Sequence, residues 1–94
     1  MSEDVRAAAT ALLQDERGYP SSHYQAYMRY QQEYDHLRDV FNAAQVSAAA
    51  DPLKLQQWPM TGVPYQQAVD AAWDHWVGLG YKAEIERALA LLGT

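Results

Sequence analysis

From Ser22 to about Ala50 the chain contains neither glycine nor proline, and no other stretch restricts the fold as much. A backbone free of those two breakers sustains a helix once it starts, and roughly 28 residues at 1.5 Å each make a rod about 40 Å long. A helix of this length in a chain of 94 residues predicts an elongated domain. Ser22-His23-Tyr24-Gln25 marks its start with the spacing of a capping box, in which the Ser oxygen and the Gln side chain satisfy open backbone amides.

Along this rod Tyr27, Tyr30, Tyr34, Leu37, Phe41, Ala44 and Ala48 recur at intervals of 3, 4, 3, 4, 3 and 4 residues, which is a heptad seam. Tyr24 and Met28 widen its first half. One end is therefore bulky and aromatic and the other small, so a neighbouring helix approaches closely only at the alanine end. Aromatic stripes at helical spacing ordinarily become core, and the first and last helices are the expected cover. Each buried tyrosine hydroxyl also needs a partner, which a partly wet protein interface supplies more readily than a dry core. On that ground Tyr24, Tyr27, Tyr30, Tyr34, Leu37 and Phe41 form the candidate binding interface, for a second copy or another protein. A pocket that grips a ligand between tyrosines is a third reading.

The rest of the chain reads as further helices. Val5, Ala8, Ala9, Leu12 and Leu13 predict a helix over about 3–17, capped by Ser2, with Glu3 and Asp4 at the positive end of its dipole. Gly18-Tyr19-Pro20 reads as its left-handed C-cap. Asp51-Pro52 opens a short helix over about 52–57, which Trp58-Pro59 stops, and Met60 to Val63 reads as a loop. Pro64 opens a helix over about 64–78 with Tyr65, Val69, Ala72, Trp73, Trp76 and Val77 on its apolar face. Gly78 and Gly80 predict a bend before a last helix over about 81–92, built on Tyr81, Ile85, Ala88, Leu89 and Leu92 and ending at Gly93. No window alternates as a strand does. The expected fold class is all-α: one domain over 1–94, a small elongated helical bundle of three to five helices built on the central helix.

Composition narrows the function classes. Hydrophobic residues at 49% and charged residues at 20% are those of a globular chain, which has enough apolar surface to offset its ordering entropy. The net charge is -5, and the basic residues Arg6, Arg17, Arg29, Arg38, Lys54, Lys82 and Arg87 stand singly, a pattern that argues against nucleic acid and anionic membrane as partners. A neutral or basic protein fits better. The absence of cysteine excludes disulfides, thiolate metal sites and a cysteine nucleophile. The longest apolar run, around Ala88 to Leu92, falls far short of the roughly 20 residues of a membrane span. Met1 to Arg6 lacks the basic start of a signal peptide, so the expectation is a cytoplasmic protein without membrane insertion, secretion without a cleaved signal being the alternative.

Chemistry-bearing residues are few. Glu33 and His36 have the Glu-x-x-His spacing that places two metal ligands on one helix face in di-iron bundles. At 100° per residue, however, they lie about 100° and 160° from Tyr34, away from the seam. A solvated face, with Asp35 and Arg38 able to pair, is the better reading. Asp70, Asp74 and His75 form a second polar cluster, also off the apolar face and without a third ligand or nucleophile motif nearby. His23 falls in a helix's first turn, where a surface role is expected. Trp73 and Trp76 read as anchors of the C-terminal helix, each burying a large area with its indole N–H at the edge. Trp76-Val77-Gly78 has the W-x-G form found at the mid-chain turn of small secreted helical-hairpin proteins, but only sixteen residues follow Gly78 here, and the tripeptide assigns no family.

There is no glycine-rich phosphate loop, zinc-ligand spacing or supported Ser-His-acid arrangement. The sequence therefore predicts no enzyme and no cofactor, but a small helical protein-protein interaction or assembly module. It would work as a homo-oligomer or as a domain of a larger assembly. The alternative is a small helical ligand- or metal-binding carrier or accessory protein.

Overall fold

The computed structural model describes residues 3–93, and within them the chain is five helices: α1 (Glu3–Leu13), α2 (Ser22–Ala49), α3 (Pro52–Thr61), α4 (Val63–Val77) and α5 (Lys82–Leu92). The long central helix forms as its freedom from glycine and proline requires. Its cap is one residue earlier than the capping box placed it. Ser21 Oγ accepts from the Tyr24 amide at 3.1 Å and donates to the Leu12 carbonyl at 2.7 Å, so one hydroxyl ties the start of α2 to the end of α1. Gln25 Nε2 donates to the Pro20 carbonyl at 2.9 Å instead of closing a box.

Helix α1 stops at Leu13, short of the expected end near Arg17. The Asp15 carboxylate takes the amides of Arg17 at 2.9 Å and Tyr19 at 3.0 Å. The Asp15 amide donates to the Tyr19 carbonyl at 2.8 Å, and Gly18 N donates to the Asp15 carbonyl at 3.0 Å. A short acidic side chain that satisfies nearby backbone amides competes with helix continuation, and here it wins. Gly18 takes the left-handed region at φ +84°, as the C-cap reading requires, but it does so at the end of this tight turn. The expected cap, Ser2, lies outside the described residues.

The largest correction concerns residues 58–63. Pro59 sits inside α3, which runs on to Thr61, and the expected loop from Met60 to Val63 is helical in all but one residue. A proline in a short helix removes one backbone bond, and water can take the carbonyl it frees. Gly62 keeps right-handed geometry at φ -78° and ψ -17°, donates to the Trp58 carbonyl at 2.8 Å and accepts from the Gln66 amide at 3.0 Å. Helical phase therefore carries through from α3 to α4. Trp58, Gly62, Tyr65, Val69, Ala72 and Trp76 fall in one line at intervals of 4, 3, 4, 3 and 4, a second heptad seam facing the first.

The two seams zip antiparallel, as the ring contacts record: Tyr27 meets Trp76, Tyr34 meets Trp73 and Phe41 meets Trp58. The expected bend at the glycines is present, with Gly80 at φ +79°, and it returns α5 against α1. Ala9, Leu13, Tyr27, Trp76, Ile85 and Ala88 bury together where α1, α5, the start of α2 and the end of α4 meet. The opposite end, where α3 crosses the last turns of α2, is only two helices thick, and α3 contributes no buried residue. The molecule measures 59 × 23 × 19 Å, and its radius of gyration of 18.4 Å exceeds the roughly 12 Å of a compact chain of this length. Among the described residues no helix is long and apolar enough to cross a membrane.

Candidate functional site

The tyrosine seam is engaged within the chain. Tyr27 is buried with its ring 5.2 Å from Trp76, and Tyr34 lies 5.2 Å from Trp73 and 5.7 Å from Trp76. Phe41 rests 5.8 Å from Trp58, and Tyr24, Tyr30, Tyr34, Leu37 and Phe41 are all half-buried. The main cover is α4 with α3, where the first and last helices were expected, because the continuous α3–α4 arm presents a seam of matching period. Burial raises the pKa of the Tyr27 hydroxyl, with the negative charge of Glu86, then Tyr24 and Asp35, adding to the shift.

A second cluster escaped the sequence reading. The Lys82 ammonium lies 4.2 Å from the centre of the Trp76 ring and 4.7 Å from that of Trp73, and it also pairs with Glu86 one turn along α5. Two indoles and a carboxylate thus hold one cation at the start of α5, locking the bend between α4 and α5. The two indoles were visible as adjacent-turn anchors; the lysine was not, because it arrives only after the glycine bend reverses the chain. Trp76 Nε1 is buried with no hydrogen-bond partner, contrary to its expected place at an edge.

The possible metal ligands are divided between α2, with Glu33 and His36, and α4, with Asp70, Asp74 and His75. Glu33 and His36 are exposed on α2. Asp70 accepts from Gln66 Nε2 at 2.9 Å, and the His75 ring packs 6.3 Å from Tyr30. Arg38 sets its guanidinium 5.6 Å over the Tyr34 ring, and the His23 ring packs 4.4 Å from Tyr81. Among the described residues no three His, Asp or Glu side chains group so as to hold a metal ion.

Part of the apolar surface that the fold leaves uncovered lies on the other side of the α3–α4 arm, and Val46 on α2 and Tyr19 are exposed as well. Because helical phase is kept through Gly62, the side opposite Trp58, Tyr65 and Trp76 carries Leu53, Met60 and Val63, which are 62%, 80% and 46% exposed. The chain matches no protein-family model, no curated protein and no solved structure. Functional inference therefore starts from these residues. Between Asp51 and Asp70 the only charged residue is Lys54, in a chain whose net charge is -5. On the opposite, α2-facing side of the arm an open groove of about 300 Å³ is lined by Ala44, Ser47 and Ala48 of α2 and by Lys54, Gln57, Trp58, Thr61 and Tyr65 of the arm.

Proposed function

We propose that this protein is a small protein-protein interaction or assembly module that docks through the outer face of α3 and the first turns of α4. The observation that carries the reading is the exposure of Leu53, Met60 and Val63 along one helical face that is almost free of charge. Complete burial of such a side chain is worth about 1.5–3 kcal/mol, so partial burial of three would release on the order of 3–5 kcal/mol before association costs. Several exposed apolar side chains on one face of a helix are a feature that docking surfaces share.

In this reading recognition moves from Tyr24, Tyr27, Tyr30, Tyr34, Leu37 and Phe41 to the far side of the arm those residues support. The tyrosine seam holds α3–α4 on α2 and so fixes the angle at which the docking face is presented. The test is a Leu53→Glu, Met60→Glu double variant, checked for helicity by circular dichroism and for association by chemical cross-linking at native expression levels. The variant is expected to keep its helicity and lose the wild-type cross-linked species. Unchanged cross-linking would end the proposal.

A further inference from the structure

The groove between α2 and the arm is open because the two seams are mismatched in size at this end. Along α2 the seam finishes on Ala44 and Ala48, whereas the arm brings the large rings of Trp58 and Tyr65 to the same space. Trp58 cannot settle onto the alanines. Its ring packs on Phe41 at 5.8 Å and on Tyr65 at 6.1 Å, and it lies against Gly62, so three neighbours hold it in place. The space that remains, about 300 Å³, has an aromatic wall and a floor of small side chains. We infer that this groove is a binding site for a small aromatic carboxylate.

Size restricts the occupant to a small molecule. A volume of about 300 Å³ is at the lower limit of ligand pockets, and one turn of a helix, about 10 Å across and 5.4 Å tall, would need roughly 400 Å³. The walls favour a flat apolar body. Trp58 is half-buried and Tyr65 is 39% exposed, so both keep ring surface open to an incoming ring, and Ala44 and Ala48 leave room for it to lie flat. An aromatic ring gains stacking as well as burial there, and an aliphatic chain gains burial alone.

Charge selects the polar group. Lys54 is the only charged residue lining the groove, and among the described residues its ammonium forms no ion pair. A cation would be drawn to a chain of net charge -5, but no carboxylate in the groove would hold it there. A carboxylate meets the Lys54 ammonium, with the Ser47 and Thr61 hydroxyls and the Gln57 amide as further donors in the lining. Lys54 is exposed, so this pairing strengthens binding by no more than about fivefold, and the aromatic wall supplies the rest. A ligand of about ten heavy atoms in so open a groove binds weakly, with a Kd of about 1 mM.

Titration of the ¹⁵N-labelled full chain with phenylacetate, followed by NMR, tests the assignment. Saturable shifts are expected at the amides of Ala44, Ser47 and Ala48 and at the Trp58 indole N–H, with a Kd of about 1 mM. Acetate, which lacks the ring, is expected to give none of them. 2-Phenylethanol, which keeps the ring without the charge, should bind about fivefold more weakly, and Lys54→Gln should bring phenylacetate down to that level without affecting the alcohol. Ala44→Leu fills the groove and should abolish both, with helicity checked by circular dichroism. Lys54 is exposed, so its variant keeps the fold and decides the matter should Ala44→Leu fail to fold. No saturable shift up to about 10 mM phenylacetate, or shifts centred on other residues, overturns the site. Equal affinity for acid and alcohol, or an affinity unmoved by Lys54→Gln, overturns the assignment to a carboxylate.

Discussion

The Trp58 indole stacks on the Tyr65 ring two turns along the arm, with centroids 6.1 Å apart and planes 22° from parallel, and the residue between them on that face is Gly62. A Cβ on Gly62 would lie 2.8 Å from Trp58 Cε2 and 2.9 Å from Cζ2, closer than carbon atoms tolerate. Helix propensity alone favours Gly62→Ala by up to about 1 kcal/mol, whereas overpacking costs about 1–3 kcal/mol. The variant is expected to be destabilised by about 1 kcal/mol in urea unfolding, with Trp58 displaced. In a Trp58→Ala background the ring contacts are gone and only the approach to the carbonyl of residue 58 at 3.0 Å remains, so the loss should shrink. Equal effects in both backgrounds would show that the close approach to the ring has no energetic consequence.

Trp76 combines extensive packing with an unsatisfied buried donor, two effects of opposite sign. Trp76→Ala should cost about 3–5 kcal/mol through the cavity it opens against Tyr27 and Tyr34. Trp76→Phe keeps an aromatic ring and removes the orphaned Nε1, whose burial without a partner costs about 1–3 kcal/mol. It is expected to lie within about 1.5 kcal/mol of the wild type. Thermal unfolding of the pair measures the difference, and equal losses would mean that the indole N–H carries no penalty.

Tyr27 links stability to alkaline pH. Its folded pKa is raised above the ordinary value of 10.0 by burial first and by the Glu86 charge second, so the folded chain holds this proton after the unfolded chain has released it. Stability from the neutral hydroxyl is complete below pH 10 and is lost as pH rises through the raised value. Tyrosinate absorbance should show a late-titrating component that Tyr27→Phe abolishes, and the variant's stability should fall less steeply above pH 10. A wild-type titration without that component would refute the assignment.

The clasp at Lys82 gives a further test. Its side chain is 16% exposed, so its contact with Trp73 and Trp76 is largely shielded from water. Lys82→Met keeps the aliphatic stem but removes the cation, and a loss of about 1–2 kcal/mol is expected. Glu86→Gln removes only the ion pair and should cost about 0.5 kcal/mol or less. Denaturant midpoints followed by tryptophan fluorescence separate the two. A larger loss from Glu86→Gln would identify the ion pair, not the cation–π contact, as the principal tie.

Much of the candidate surface was hidden by two local rules that tertiary packing overrode. Trp58-Pro59 reads as a stop and Met60 to Val63 as a loop, which divides the α3–α4 arm and conceals both of its heptad lines. Once Gly62 stays helical, Trp58 and Trp76 join one seam, and Leu53, Met60 and Val63 join another. Pairing this arm with Phe41, Tyr34 and Tyr27 provides the stabilisation that the Pro-Gly segment lacks by itself. The stop of α1 at Leu13 has a different cause, because Asp15 gains two backbone amides by leaving the helix, a local competition that the apolar periodicity does not register.

By itself, the sequence determined the all-α class, the extent of α2, the heptad line from Tyr27 to Ala48 and the bend at Gly78 and Gly80. These depend on backbone propensity and on spacing along a single helix, both local quantities. Only the tertiary structure decided that the tyrosine seam pairs with α4, that Lys82 closes over two indoles, and that an uncovered apolar face lies on α3. Those outcomes depend on which distant side chains meet, and periodicity tells that a face is apolar without telling which element will cover it.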